Sequence, residues 1–344
     1  MAKKKQAKNQ SKLQETISSI KKRRSDFLKG RPHRSFRLTR RRDYKRSWQI
    51  PGYWSFTNEV WYLLLSNKWL FTKFIVFYSV LSFLIVGWLS QDNFTLLNKT
   101  VNQLGGDVVA GELSGMVQNL AVFAGVFSGA FSQNLSDAQQ LYSGLLFLLG
   151  WLTIVWLIRQ IMAGHKNIKL RDGLYSSGSP LLSTFLVLLV LLVQLVPFAL
   201  ALIAYGAADS VDVFSDALFT TLFWIVELLL VVISVYWITS TTLALVVVTL
   251  PGMYPLRALK ASSDLVIGRR LRVLYRLAWL GLTVICIWAI IILPFIFINQ
   301  ISWLAAVPIV PMVALLLTTF TVLWSSSYIY LLYRKLVSDD TPTA

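Results

Sequence analysis

The sequence predicts an all-α membrane bundle: six transmembrane helices, both termini cytoplasmic, preceded by a disordered basic N-terminal tail. Three observations predict it. Apolar runs recur at about 70–90, 141–163, 179–205, 218–250, 277–298 and 306–333, each with at least the roughly 20 residues that a helix needs to cross about 30 Å of hydrocarbon. Charge alternates between the gaps that separate the runs. Composition agrees, with 56% hydrophobic and only 14% charged residues, where a soluble domain carries about a quarter charged.

Residues 1–48 come first. They hold 18 of the 33 Lys and Arg against three acids, Glu15, Asp26 and Asp43, so most of the formal net charge of +17 lies there. The run is poor in large apolar residues and cannot offset its ordering entropy by burial, so a disordered cytoplasmic arm is expected. Its cations, Arg40, Arg41, Arg42, Lys45 and Arg46 among them, suit adsorption to anionic lipid headgroups at about 1 kcal/mol each. A purely topogenic role is the alternative. Nucleic acid ranks below both, because aromatic residues for base stacking are sparse among the cations. No secretory leader is expected, since the first apolar run begins only near residue 70.

Pro51-Gly52 marks a break. Over 49–69, Trp54, Val60, Trp61, Leu64, Leu65 and Trp69 recur at roughly helical spacing opposite Asn58, Ser66 and Asn67. The pattern predicts an interfacial amphipathic helix leading into the first span, with a simple extension of that span as the alternative. The chain has 13 Trp and 13 Tyr, many near span ends, such as Trp88, Tyr142, Tyr254, Tyr275 and Trp303. Their amphipathic rings suit the headgroup level.

Orientation follows from the loops. Arg159, Lys166, Lys169 and Arg171 flank one gap, and Arg257, Lys260, Arg269, Arg270, Arg272 and Arg276 another, while Arg334 and Lys335 precede the short C-terminal tail at 336–344. The intervening gaps carry Lys99 against Asp92, Asp107, Glu112, Asp137, Asp209, Asp212 and Asp216. Excess Lys and Arg marks the cytoplasmic side, which predicts a bacterial inner-membrane protein with both ends inside. The segment 111–131 is apolar with small-xxx-small spacing at Gly111/Gly115 and Gly125/Gly129. A span there would invert every later loop, so it is expected to lie on, or dip into, the outer face, or to form an ordinary loop helix. The triplets at Asn93, Asn98 and Asn134 have the spacing of glycan acceptors but carry little weight in a chain of bacterial character.

Within the spans, Glu227 stands about ten residues into the fourth run. An ionisable group at that depth costs on the order of 2.5–3.5 kcal/mol and is a functional candidate, as a proton or cation site or as an acceptor for Gln194 of the third run. Pro197, Pro294, Pro308 and Pro311 interrupt runs three, five and six, which invites kinks. The hydroxyl strings Thr239–Thr242 and Ser325–Ser327 suit hydrogen bonds across helices. Cys286 reads as a small buried apolar residue. His33 and His165 lie in basic segments, and no His, Cys and carboxylate cluster has ligand spacing. Neither a metal nor a cofactor is expected, and no GxSxG, Walker or GxGxxG pattern appears.

Residues 244–282 are the most distinctive. Pro255 is expected to open a helix whose apolar side holds Leu256, Leu259, Val266, Ile267, Leu271 and Leu274, with Arg257, Lys260, Arg269, Arg270 and Arg272 on the rest and a bend at Gly268. Such a basic amphipathic helix belongs at the inner headgroup boundary. The pattern of Ala258, Leu259 and Ser262, then Leu265, Gly268, Arg269 and Arg270, resembles the membrane domain found with glycerophosphodiester phosphodiesterases and in related stand-alone six-span bacterial proteins. The resemblance implies a bilayer-embedded helical module. In the enzyme-linked members catalysis resides in a separate soluble barrel, so phosphodiesterase activity is not expected to carry over.

These readings leave three classes. The leading one is a non-enzymatic module, a membrane organiser or scaffold whose basic inner-face surfaces engage anionic phospholipid, a protein partner or a second copy of the chain. A permease or channel using Glu227 and kinked spans is the alternative. An intramembrane enzyme comes last, since few ionisable residues are available for acid–base work.

Overall fold

The computed structural model describes residues 50–86, 137–165, 167–210, 217–299 and 309–340. The basic tail, with Arg40, Arg41, Arg42, Lys45 and Arg46, and the segment 111–131 lie outside the described residues. The helices run α1 Tyr53–Ser66, α2 Lys68–Val86, α3 Asp137–Met162, α4 Leu170–Ser177, α5 Leu181–Ser210, α6 Ala217–Val247, α7 Pro255–Val266, α8 Arg270–Asn299 and α9 Ile309–Asp340. No strand occurs among the described residues. Six of the helices, α2, α3, α5, α6, α8 and α9, are long and apolar enough to cross a membrane, which makes this an all-α, multi-pass membrane protein.

Burial ranks the spans. Within one 18-residue apolar stretch of each span, 56% of residues are buried in α3 and α9, against 11% in α6, 17% in α5 and 22% in α2 and α8; the end of α6, with Thr241 and residues 243–247, is buried as well. The core is therefore built from α3 residues such as Trp151, Leu152, Ile154 and Ile158 meeting Leu323, Tyr328, Leu331 and Leu332 of α9. The remaining spans show many of their Leu, Ile and Val outward, where acyl chains solvate them without penalty. Association in such a medium relies on close packing and interhelical hydrogen bonds. Both are present. A Cβ on Gly150 would lie 3.3 Å from the Tyr78 ring and one on Gly173 3.2 Å from Leu157, so glycine brings α2 and α4 onto α3. Tyr78 and Thr153 hydroxyls meet at 3.2 Å, and Ser79 and Thr319 at 3.0 Å.

α1 is a helix in its own right and not an extension of α2. At Asn67 the backbone leaves the helix, its N–H donating to Leu64 O at 3.2 Å and its side-chain amide to Leu63 O at 3.1 Å. An Asn side chain that competes for backbone groups in this way favours helix ends. Of the apolar stripe foreseen over 49–69, Val60 and Leu64 are buried together with Phe56, while Trp54, Trp61 and Leu65, and Trp69 at the start of α2, are exposed. One stripe thus serves two apolar surroundings, the bundle and the space around it.

Three expectations are revised. α8 starts at Arg270 and not near 277, so Arg270, Arg272 and Arg276 belong to the first two turns of a spanning helix and not to a loop. Pro311 is the third residue of α9, in the first turn, where amides have no intrahelical partner to lose; it does not interrupt the span. Pro197 and Pro294 do lie inside helices, α5 and α8. Beside Pro197, the Phe198 N–H donates to Ser234 Oγ of α6 at 3.1 Å, the kind of side-chain rescue that makes proline tolerable in a span. Cys286 is exposed on α8 rather than buried.

Candidate functional site: the cationic end of the bundle

The α3 C-terminus, the turn after α6, α7, the start of α8, the end of α9 and the segment before α1 are gathered at one end of the bundle, and arginines tie them together. Arg159 at the end of α3 donates from Nη1 to the Thr249 carbonyl at 3.0 Å. Arg269, 3% exposed, donates from Nε to Leu265 O at 3.0 Å and from Nη2 to Leu336 O at 2.8 Å, joining the end of α7 to α9. Carbonyls in the last turn of a helix such as α7 lack intrahelical donors, and a cation there also meets the negative end of the helix dipole. Arg276, also 3% exposed, donates to the Pro51 and Gly52 carbonyls and stacks over Tyr53, its guanidinium carbon 4.3 Å from the ring centroid. Lys335 and Glu59 add a half-exposed ion pair at 3.0 Å between α9 and α1.

The cations assigned to lipid contact therefore divide. Arg269 is withdrawn into the protein, a correction to its sequence assignment: its Nε and Nη2 donors reach carbonyls of α7 and α9. Arg270 is half-buried, its guanidinium carbon 3.8 Å above the Tyr236 ring and its Nη1 3.3 Å from Tyr236 O. Arg257, Lys260 and Arg272 are exposed. Around them stand exposed apolar side chains: Leu256 at 80%, Tyr254 at 74%, Leu271 and Tyr275. α7 docks by the face carrying Ala258, Ser262 and Val266, starts with Pro255 at its first position and stops ahead of Gly268, whose φ of +81° favours glycine. Leu256 and Leu271, foreseen on one apolar side with Val266, thus point off the protein.

The intramembrane polar groups pair differently from the expectation. Gln194 Oε1 accepts from the Thr241 hydroxyl at 2.6 Å, and no hydrogen bond from its amide to Glu227 occurs among the described residues. With α5 and α6 held in register by the Gln194–Thr241 and Phe198–Ser234 bonds, Glu227 lies a further two turns beyond Ser234, away from Gln194. Its side chain is 7% exposed, although its neighbours Ile225, Val226, Leu228 and Leu229 in this half of α6 face outward. The hydroxyl strings mostly bond back along their own helices: Thr239 to Val235 O, Thr242 to Ile238 O, Ser326 to Val322 O and Ser327 to Leu323 O. Thr241 is the member of these strings that crosses to another helix. Interhelical bonds come instead from indoles, Trp279 to Thr57 at 2.9 Å, Trp288 to Thr321 at 2.8 Å and Trp324 to Thr283 at 3.3 Å.

Chemically, this end of the bundle offers point positive charges, indole and phenol rings and outward aliphatic groups, a combination that fits an interface between headgroups and hydrocarbon. Among the described residues no group of three or more His, Cys, Asp or Glu could hold a metal ion. Sequence reasoning missed the role of Arg276; the Pro51-Gly52 break was the available signal, because a chain reversal exposes carbonyls that need donors. No known protein family, curated protein or solved structure matches the chain.

Proposed function

We propose that the chain is a non-enzymatic multi-pass protein of a bacterial inner membrane, with both termini cytoplasmic, that binds anionic phospholipid through its cationic end and acts as a membrane organiser or scaffold. The observation that carries this reading is the interleaving of exposed Arg257, Lys260 and Arg272 with exposed Tyr254, Leu256, Leu271 and Tyr275. Three cations at the headgroup level are worth about 3 kcal/mol on an anionic surface, and the aliphatic and aromatic neighbours fix the depth at which they act. The basic tail at 1–48, cytoplasmic in this reading, carries further cations suited to the same anionic lipids. The likeness of 258–270 to the membrane domain named above supports a bilayer-embedded module without its own catalytic centre.

Native mass spectrometry of protein released from phosphatidylglycerol-containing nanodiscs tests the lipid role. The triple variant Arg257→Gln/Lys260→Gln/Arg272→Gln should retain fewer phosphatidylglycerol molecules than wild type; equal retention refutes the reading. Labelling of Lys260→Cys in a Cys286→Ser background, by an impermeant maleimide on intact cells, tests the orientation. Labelling before lysis would reverse it.

A second reading is favoured by one observation, the burial of Glu227 within the first half of α6, where Leu222, Trp224, Ile225, Val226, Leu228 and Leu229 around it are exposed. In a permease this carboxyl carries a proton or cation, and Glu227→Gln abolishes the coupled flux in reconstituted vesicles. Absence of flux in the wild type with protons and monovalent cations disposes of it.

A further inference from the structure

Beside the arginine ties lies a cleft that the surface reading does not use. It holds about 300 Å³, the lower end of the range for small-molecule sites, and is bounded by the ends of α3 and α4, the start of α5 and the turn at 248–253. Its polar lining includes Arg159, Ser176, Ser179, Ser183 and Thr249, and no lining residue is acidic. Leu152, Trp156, Val248, Leu250 and Met253 make up the apolar part of its lining.

The hydroxyls in this cleft stand apart from their neighbours. Ser177 bonds to Leu174 O at 2.6 Å and Thr184 to Pro180 O at 2.9 Å, as hydroxyls in or beside helices commonly do. Ser176, Ser179 and Ser183, which face the cleft, make no hydrogen bond among the described residues. Arg159 commits one N–H to Thr249 O and leaves the rest of its fork to the cavity. The helix ends around the cleft do not favour an anion by themselves, because the α5 amides of Leu181 and Thr184 donate to the Gly178 and Pro180 carbonyls and α3, α4 and α6 end here, so Arg159 is the positive charge at the site.

We infer that this cleft binds a phosphate group, with Arg159 as the charge and Ser176, Ser179 and Ser183 as hydroxyl donors. A guanidinium fork set among hydroxyls matches a tetrahedral oxyanion with several acceptor oxygens. The apolar part of the lining accommodates the glyceryl or acyl portion of whatever carries it. The inference deepens the proposed lipid role and rests on it for the nature of the surroundings, but it assigns a discrete site in place of a diffuse surface. The phosphate belongs either to a phospholipid headgroup or to a water-soluble phosphate ester.

The full-length chain in neutral detergent separates these. Thermal unfolding, followed by tryptophan fluorescence, is titrated with dihexanoyl phosphatidylglycerol, with glycerol 3-phosphate and with dioctanoylglycerol, which lacks phosphate. Wild type should be stabilised saturably by the first, with the midpoint raised at least tenfold in Arg159→Gln and in Ser179→Asp. Ser179 is exposed, so its variant keeps the fold while placing a negative charge at the rim, and it decides the matter should Arg159→Gln fail to fold. Stabilisation by glycerol 3-phosphate as well identifies a soluble ester as sufficient; stabilisation by the phospholipid alone identifies the lipid. Equal stabilisation by dioctanoylglycerol, no response to either phosphate compound, or wild-type titration in Ser179→Asp overturns the inference. The triple surface variant should titrate like wild type here although it loses retained lipid, so failure of the cleft and failure of the surface are told apart.

Discussion

Replacing Arg276 by Met should loosen the junction between the N-terminal segment and the bundle. Arg276 supplies hydrogen bonds to the Pro51 and Gly52 carbonyls, and its guanidinium lies 4.3 Å from the Tyr53 centroid and 5.6 Å from that of Phe56. Hydrogen bonds from a charged donor are worth about 1.5–3 kcal/mol each, and the cation–π contact about 0.5–2 kcal/mol. Against these stands the desolvation of a buried charge, several kcal/mol, which Met removes. Gly52 is exposed, so its carbonyl regains water once the segment lifts. The net cost is then about 2 kcal/mol, roughly 30-fold in the local opening equilibrium. Hydrogen exchange resolved over 50–60 in detergent reads this directly. The Phe56 N–H, bonded to Gly52 O at 2.9 Å, should exchange about 30 times faster in Arg276→Met, while the core of α3 stays protected. Arg276→Lys should fall between, because an ammonium serves one carbonyl and cannot stack as a planar fork does. Exchange within threefold of wild type in the Met variant would refute the role given to this side chain.

Other consequences follow from the same geometry. Gly173→Val drives branched methyls into Leu157 and Thr153, whose atoms would lie 3.2 and 3.3 Å from the new Cβ; it should cost about 1–3 kcal/mol and lower the unfolding temperature, whereas Gly144→Val, with nothing within 4 Å, should not. Thr241→Val removes the 2.6 Å bond to Gln194 and should cost about 0.6–1.7 kcal/mol, measured by chemical denaturation in mixed micelles. Arg269→Met severs α7 from α9 and should speed proteolysis of 251–270, while Arg272→Gln, exposed, should change stability by less than about 0.5 kcal/mol. Phosphatidylglycerol retention should fall as salt rises from 50 to 500 mM, because exposed charges are screened over a Debye length that shrinks to a few ångströms; retention indifferent to salt would count against a cationic surface.

Several assignments failed for one reason. Pattern reading treats a charge as outward and a hydroxyl string as a ladder between helices. Arg269 and Arg276 are buried because carbonyls at Leu265, Leu336, Pro51 and Gly52 are within reach, and no local pattern announces an acceptor such as Leu336 or Pro51, dozens or hundreds of residues away. Gln194 and Glu227 both sit within spans, yet the antiparallel register of α5 and α6 hands Gln194 to Thr241. The start of α8 at Arg270 was hidden because an arginine-rich turn lowers hydropathy without opposing helix formation.

Six spanning helices, the separate basic helix at Pro255 and the break before α1 were legible in the chain itself, since hydrocarbon thickness, helix rise and backbone hydrogen-bond needs act on local sequence. Which spans form the core, which arginines serve as ties and which stay at the surface, and the cleft beside Arg159 were decided by tertiary structure. In a bilayer the apolar faces of a helix are equivalent to acyl chains, so hydrophobicity selects the spans but not their neighbours; close approach at Gly150 and Gly173 and scattered polar contacts select those.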